Sequence, residues 1–196
     1  PYVTSSNTLA GYASVGSGIS PQNLNFILGI TKAYTTRVGS GPFPTELFDK
    51  NLDLLAKKGN EIGTVTGRPR RCGWFDSVLV RQVAEISGIN SIALTKLDVL
   101  DDFDEIKVCV RYKIGNKFID HMPSSISEQS KIEPVYERIK GWKGVVRGVK
   151  FWDDLPNGAK DYIKFLESKV GASIDIISTS PERDDTILKK NPFDKI

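Results

Sequence analysis

A lysine and an aspartate follow a short apolar run near the middle of the chain. The run is Ile92 to Leu94, and Thr95-Lys96-Leu97-Asp98 comes directly after it. A carboxylate at the end of a strand can accept hydrogen bonds from both the ring N–H and the exocyclic amine of guanine, while a lysine stem covers the base. Adenine would present an acceptor to the same carboxylate and leave buried groups unpaired. Lys96 and Asp98 are a candidate guanine-binding pair, and an exposed Lys and Asp after a strand is the alternative.

A second apolar run, Ile174 to Ile177, ends in Ser178-Thr179-Ser180-Pro181. Both runs follow predicted helices, as do buried strands in a mainly parallel sheet. In such sheets, ligands bind in a crevice beyond the carboxyl ends of the strands. The spacing therefore predicts two loops that face one ligand, with backbone N–H groups near Ser178 available to the carbonyl oxygen of guanine.

Residues 63–71, Gly-Thr-Val-Thr-Gly-Arg-Pro-Arg-Arg, combine glycines, hydroxyls and three arginines. An arginine can bind a carboxylate through two parallel charge-assisted hydrogen bonds, and glycines allow a loop to close over a ligand. Residues 63–71, the arginine segment, therefore indicate a site for carboxylates or phosphates. A solvated basic turn and a nucleic-acid patch are the alternatives, and the mild net charge of +3 disfavours the nucleic-acid reading.

Three helices are predicted from apolar residues at helical spacing that end at a glycine. The first covers residues 45–58, with Phe48, Leu52 and Leu55 before Gly59. The second and third have the apolar positions Leu79, Val83 and Ile86 before Gly88, and Ala159, Ile163, Leu166 and Val170 before Gly171.

The remaining segments indicate strands and loops. Residues 26–38 are rich in β-branched and aromatic side chains and precede Gly39-Ser40-Gly41-Pro42, which predicts a strand and a sharp turn, with a helix as the alternative. Alternation over residues 106–112 and a Gly115-Asn116 turn predict a half-exposed antiparallel hairpin. Residues 1–20 are small and polar and predict a loop.

Composition places the chain among ordinary globular proteins, with 39% hydrophobic and 26% charged residues. No apolar stretch approaches the roughly 20 residues that cross a bilayer, so we expect no membrane anchor. Cys72 and Cys109 match neither a metal-ligand spacing nor a disulfide framework, which favours a reducing, cytoplasmic setting. The chain opens at Pro1 without a methionine, and we expect an excised fragment. The single histidine, His121, is expected at the surface, and no Walker-type phosphate loop is present in the sequence.

Six segments, in order, resemble the C-terminal half of the adenylosuccinate synthetase family over all 196 residues. They are PYVTSSN at 1–7, TRVGSGPFPTEL at 36–47, GNEIGTVTGRPRRCGW at 59–74, LTKLDVLD at 94–101, PVYERIKGW at 134–142 and IDIISTSP at 174–181. The resemblance implies that residues 1–196 are the C-terminal portion of such a synthetase. It also implies a fold related to the P-loop NTPases, without the half that carries the phosphate loop.

The resemblance implies a reaction in two steps. GTP phosphorylates the C6 oxygen of inosine monophosphate (IMP), and the amine of L-aspartate then displaces that phosphate. Magnesium assists, bound mainly by the N-terminal half, which also carries the catalytic aspartate and histidine. The resemblance further implies a homodimer, and it implies no catalytic residue or metal ligand within this chain.

The family positions that bind substrates can be transferred to matching residues of this chain. Those for aspartate and IMP are Thr4, Val38, Thr64, Val65, Thr66, Gly67, Arg68, Pro69 and Arg70. Those for GTP are Arg70, Lys96, Leu97, Asp98, Ser178, Thr179 and Ser180. Two positions depart from the family, which often has glycine at Ser180 and a second threonine at Val65.

Other functions remain as alternatives. A non-catalytic module that binds guanine nucleotides would need the same strand-end loops but no phosphoryl-transfer centre. A basic RNA-binding domain has support only from Arg68 to Arg71. For the architecture, we expect an α/β fold with a mainly parallel central sheet, flanking helices and an antiparallel hairpin as an excursion.

Overall fold

The computed structural model describes residues 7–63 and 67–195 and shows ten strands and five helices in this part of the chain. The strands are β1 Leu28–Lys32, β2 Thr35–Arg37, β3 Arg71–Gly73, β4 Phe75–Asp76, β5 Ser91–Thr95, β6 Glu105–Ile114, β7 Lys117–Ile119, β8 Glu133–Lys140, β9 Ser173–Ser178 and β10 Thr186–Leu188. The helices are α1 Tyr12–Ser17, α2 Lys50–Lys58, α3 Ser77–Ser87, α4 Ile126–Gln129 and α5 Asn157–Val170. Short 3-10 turns cover Pro21–Asn23, Leu97–Leu100, Trp152–Asp154 and Pro192–Lys195.

The central sheet has the strand order β1-β5-β9-β10. β5 is parallel to both β1 and β9, and β10 is antiparallel at the edge. Leu94 pairs with Ile177, so β5 and β9 end at the same edge of the sheet. The mainly parallel sheet and the two neighbouring strand ends predicted from the sequence are confirmed.

Burial of apolar side chains explains why these strands and helices form one layered core. Leu94 and Ile177 are fully buried in the sheet, and Ile163 and Leu166 of α5 are fully buried in the same cluster. Removing a side chain of this size from water contributes about 1.5 to 3 kcal/mol. The apolar spacing in the sequence thus corresponds to the face that α5 packs into the core.

Capping side chains and glycines determine where the helices begin and end. Asp49 and Asp76 precede α2 and α3, and their carboxylates accept hydrogen bonds from Asn51 N and Leu79 N. Gly88 and Gly171 end α3 and α5 in the left-handed conformation that glycine adopts without strain. The three predicted helices are present at these positions.

The predicted start of the first of these helices is wrong. Residues 45–47 run beside β3 instead, with Leu47 N donating to Cys72 O and an isolated bridge between Glu46 and Gly73. Phe48 therefore lies before α2 and is 84% exposed rather than part of the buried face. The Asp49 cap places the helix start at Lys50.

The single strand predicted over 26–38 is two strands in different sheets. The chain bends at Ala33, whose N–H donates to Thr95 O and whose carbonyl accepts from the hydroxyl of Tyr162. β1 continues the central sheet, while β2 pairs antiparallel with β3. The alternative helix is wrong, and the loop expected over residues 1–20 contains the short helix α1.

The predicted hairpin is β6 and β7, joined by Gly115 and Asn116. β8, which the sequence analysis did not predict, pairs with β6 along most of its length. A register shift between Cys109 and Arg111 breaks the simple alternation, and Cys109 is buried, not exposed. Within residues 7–63 and 67–195, no helix is both long and apolar enough to cross a membrane.

The buried carboxylate of Asp101 connects two loops. One is the turn after β5, which contains the candidate guanine-binding residues 96–98 (the guanine motif), and the other is the loop after β8. Its two oxygens accept from Trp142 Nε1 at 2.6 Å and from Val146 N at 3.0 Å. Both donors are in the core, where an unpaired N–H is costly. The hydrogen bond to Val146 N therefore helps to fix the position of Arg147, the next residue in the chain.

Replacing Asp101 with asparagine should destabilise the protein by about 1 to 3 kcal/mol, because the amide turns a donor toward one of the two N–H groups. Asp102→Asn is the matched control, since the Asp102 side chain is 86% exposed and pairs only with Lys58 among the ion pairs observed. That change should cost less than about 1 kcal/mol. Chemical denaturation of both variants measures the difference, and equal losses would contradict the assigned role of Asp101.

Candidate functional site

Both predicted strand-end loops line one cavity of about 450 Å³ at the carboxyl edge of the central sheet. Its walls include Lys96 and Asp98 after β5, and Ser178 and Ser180 at and after β9. Arg147 lines the same cavity. The structure therefore brings together the two segments that the sequence analysis expected to face one ligand.

Lys96 occupies a conformation that is uncommon for a residue with a side chain. Its φ is 60° and its ψ is 34°, in the left-handed region. Its ammonium donates to Gly59 O at 2.5 Å and to a carboxylate oxygen of Glu61 at 2.8 Å. These contacts offset the backbone strain at Lys96. They also fix the ammonium group of Lys96, which lines the cavity.

Leu97 and Asp98 have different surroundings although they are adjacent. The side chain of Leu97 is fully buried in the core, so only its backbone can reach a ligand. Asp98 is half-buried at the cavity wall. Burial raises the pKa of Asp98 above its ordinary value, and the charge of Arg147 is the largest influence in the opposite direction. Arg147 therefore favours the ionised form of the Asp98 carboxylate.

The second loop is held in a fixed shape by hydrogen bonds to Asp185. Thr179 is fully buried, and its hydroxyl donates to Val149 O at 2.7 Å and Asp185 O at 3.1 Å. The hydroxyl of Ser180 donates to the Asp185 carboxylate at 2.6 Å. Ser180 does not have a positive φ, so serine in place of the family's glycine imposes no backbone strain. The hydroxyls of Thr179 and Ser180 are therefore used within the protein, as are Thr179 N, which donates to Asp185 O, and Ser180 O, which accepts from the Ser178 hydroxyl.

The two ends of the arginine segment pair with each other like the base of a hairpin. Arg70 N donates to Glu61 O at 2.9 Å, Gly63 N donates to Arg68 O at 2.8 Å, and Ile62 and Pro69 form an isolated antiparallel bridge. Gly67 has a φ of +65°, which turns the chain back toward the base. The expected site residues Thr64, Val65 and Thr66 lie outside the described residues, and so does Thr4.

Three further predicted positions lie around this base. Arg68 and Pro69 follow Gly67, and the side chain of Arg68 is exposed. Val38 follows β2 and is 74% exposed, without lining the cavity. The third arginine of the segment, Arg71, forms a two-pronged ion pair with Glu46 and also donates to Gly39 O and Gly41 O. Arg71 therefore stabilises the turn after β2. The sequence pattern did not distinguish this structural role from the ligand-binding roles predicted for Arg68 and Arg70.

Glu61 is a buried carboxylate with four side-chain donors. Lys32 Nζ lies 3.0 Å from each of its oxygens, and Arg70 Nη1 lies 2.9 Å from one of them. Lys96 Nζ and the hydroxyl of Tyr34 donate to the other oxygen at 2.8 Å and 2.5 Å. The carboxylate thus contacts Lys32 of β1, Arg70 of the arginine segment and Lys96 of the guanine motif.

The donors determine the charge state of Glu61. Burial alone would raise the pKa of Glu61, but the hydrogen bonds from Lys96, Tyr34, Arg70 and Lys32 outweigh it and hold the pKa at about 2, below the ordinary 4.5. Burial lowers the pKa of Lys32, while Glu61 acts against that change. The group is therefore a carboxylate surrounded by cations at neutral pH.

Sequence reasoning missed Glu61, Lys32 and Arg147. Glu61 was visible only as the single acid in Gly59-Asn60-Glu61-Ile62-Gly63, immediately before the arginine segment. Lys32 and Arg147 are distant in sequence from either predicted loop, and no local pattern marks them. His121 is at the surface beside Asp120, as expected.

No group of three or more His, Cys, Asp and Glu side chains suited to a metal is found among residues 7–63 and 67–195. Cys72 and Cys109 are both buried free thiols.

The contribution of Glu61 to stability should depend on pH. Its folded pKa is below its ordinary value of 4.5, so the stabilisation is complete above that value and is lost as pH falls toward about 2. Glu61→Gln removes the titrating group. The difference in unfolding free energy between the two proteins should therefore shrink from about pH 6 toward about pH 3, measured by urea denaturation. A difference that grows over this range would contradict the assignment.

Comparison with known proteins gives a family and two related structures. The sequence profile of adenylosuccinate synthetase matches residues 1–187. The structure of fully ligated adenylosuccinate synthetase from Plasmodium falciparum superposes with a TM-score of 0.92 and 41% identity. The match covers 97% of this chain and 46% of that protein.

A more distant relative shows the same fold. Succinoaminodeoxyadenylate synthetase from cyanophage S-2L, solved with dGMP and dATP, has a TM-score of 0.55 and 15% identity. The match covers 98% of this chain and 42% of that protein. The chain therefore spans less than half the length of either structure. On the profile match and the likeness to the Plasmodium falciparum enzyme, this chain belongs to the adenylosuccinate synthetase family.

Proposed function

We propose that this chain is the C-terminal portion of a GTP-dependent ligase that forms adenylosuccinate from IMP and L-aspartate through a 6-phosphoryl intermediate. Its residues bind aspartate, part of IMP and the guanine base of GTP. The observation that carries the proposal is the cavity in which Asp98 and Ser178 face the same space. Family membership supports the reaction class.

Guanine recognition follows from the charge and position of Asp98. An ionised carboxylate accepts two hydrogen bonds and donates none, which matches the ring N–H and amine of guanine. Ser178 and Ser180 line the same cavity and place backbone groups near the other edge of the base. The anchored ammonium of Lys96 leaves its stem to cover the ring face.

Aspartate binding is assigned to the arginine segment. Arg68 is an exposed residue at the hairpin-like base, and Gly63 and Gly67 stand on either side of residues 64–66 in the sequence. A guanidinium binds a carboxylate through two parallel N–H···O bonds, so it can orient the amine of aspartate for attack. Arg70 is held at the base by Glu61, which also accepts a hydrogen bond from Lys96 of the cavity wall.

Phosphoryl transfer is assigned to the part of the synthetase outside this chain. The chain covers 46% of the Plasmodium falciparum enzyme, and the residues described here offer no metal-ligand cluster. From family membership we expect magnesium to be held mainly by the N-terminal half, and the complete enzyme to be a homodimer. The role of this chain is to position substrates rather than to break bonds.

Asp98→Asn in the complete enzyme should reduce the preference for GTP over ATP by about 10- to 100-fold, because an amide offers a donor where guanine also donates. The ratio of kcat/KM values for the two nucleotides measures this preference. Asp53→Asn, at an exposed position on α2, is the control and should leave the ratio unchanged. Unchanged discrimination in Asp98→Asn would remove Asp98 from the guanine site.

Arg68→Leu should raise the KM for aspartate by about tenfold or more, since one charge-assisted carboxylate contact is lost. The measurement uses saturating GTP and IMP, so that only aspartate binding limits the rate. Arg138→Leu is the control, because Arg138 is an exposed residue of β8 paired with Glu105. If both variants have the wild-type KM, the arginine segment does not bind aspartate.

A further inference from the structure

Glu61 contacts residues of two separate segments that the proposed function assigns to substrate binding. Arg70 belongs to the arginine segment, Lys96 belongs to the guanine motif, and both donate to this carboxylate at 2.9 Å or less. Lys32 of β1 donates to it as well, at 3.0 Å. The sequence analysis assigned no role to Glu61 or Lys32.

The charges in this cluster do not cancel. Three cations surround one carboxylate, which leaves a net charge of +2 when all four groups are ionised. The Glu61 side chain is 0% exposed, whereas those of Lys32, Arg70 and Lys96 are 25%, 28% and 33% exposed. The anion is therefore enclosed, and the cations form a partly exposed rim around it.

The backbone connects the same three parts. Arg70 N donates to Glu61 O, which fixes the base of the arginine segment. Gly59, whose carbonyl accepts from Lys96, is two residues before Glu61. Asn60 between them has a φ of 46°, and Lys96 has a φ of 60°, so both sides of the contact carry unusual backbone conformations. A shift of the arginine segment would therefore move the contacts that keep Lys96 in place.

We propose that Glu61 is a positioning residue that couples the arginine segment to the guanine motif, so that a bound guanine nucleotide strengthens aspartate binding. The proposal rests on the proposed function. Without the carboxylate, three cations lie within reach of one point and repel one another. A ligand that fixes Arg70 would then no longer help to fix Lys96, and the coupling between the two residues would be lost.

The test compares wild type with Glu61→Gln in the complete enzyme. Calorimetry gives the Kd for aspartate in the presence of IMP, with and without GDP. In wild type, GDP should tighten aspartate binding by about fivefold or more. In Glu61→Gln that factor should fall close to one, and the KM values for GTP and aspartate should both rise about tenfold while kcat changes less.

The matched control is Glu137→Gln, a glutamate of β8 that pairs with Lys169 at a partly exposed position. It should behave as wild type in every measurement. The double variant Lys32→Met with Glu61→Gln provides a second comparison, because it returns the cluster to the wild-type net charge of +2. It should recover part of the lost affinity relative to Glu61→Gln, which a purely packing role for Glu61 would not produce.

If Glu61→Gln does not fold, Tyr34→Phe is measured in its place, since it removes only one hydrogen bond to the Glu61 carboxylate. Both KM values should then rise together by about two- to tenfold. Wild-type coupling below twofold, or coupling in Glu61→Gln equal to wild type, would overturn the inference alone. If the wild-type enzyme forms no adenylosuccinate from GTP, IMP and aspartate, the proposed function fails and the inference fails with it.

Discussion

The parallel pairing of β5 with β9 is the constraint on which the candidate site depends. Because Leu94 pairs with Ile177, both strands end at one edge of the sheet and their polar continuations face one cavity. The buried apolar residues of the two strands stabilise this register, since a shift by one residue would turn their side chains to the opposite face. The position of the proposed guanine site is thus a consequence of how the core packs.

The second constraint is electrostatic. A fully buried carboxylate is unfavourable unless its hydrogen-bonding capacity is met, and Glu61 meets it with two lysines, an arginine and a tyrosine. The ion pairs hold Arg70 and Lys96 on the same carboxylate and offset the left-handed conformation of Lys96. A single residue therefore brings together groups from segments that are far apart in sequence.

Local patterns predicted the parts of the fold that depend on local rules. The helix ends at Gly88 and Gly171 and the strands after α3 and α5 follow from glycine conformations and apolar spacing. The bend at Ala33 and the exposed position of Phe48 could not be predicted, because they result from hydrogen bonds to Thr95 and Cys72. The same reason applies to the site: Asp98 and Ser178 lie in short motifs, whereas Glu61, Lys32 and Arg147 become visible only when distant segments meet.

The most direct measurement of the central claim is a crystal structure of the complete synthetase with GDP bound. The account predicts that the two carboxylate oxygens of Asp98 lie about 2.7 to 3.2 Å from the ring nitrogen and the exocyclic amine of guanine, with the backbone of residues 178–180 at its carbonyl oxygen. Guanine bound away from the cavity between β5 and β9, or an Asp98 carboxylate that faces only solvent, would contradict it.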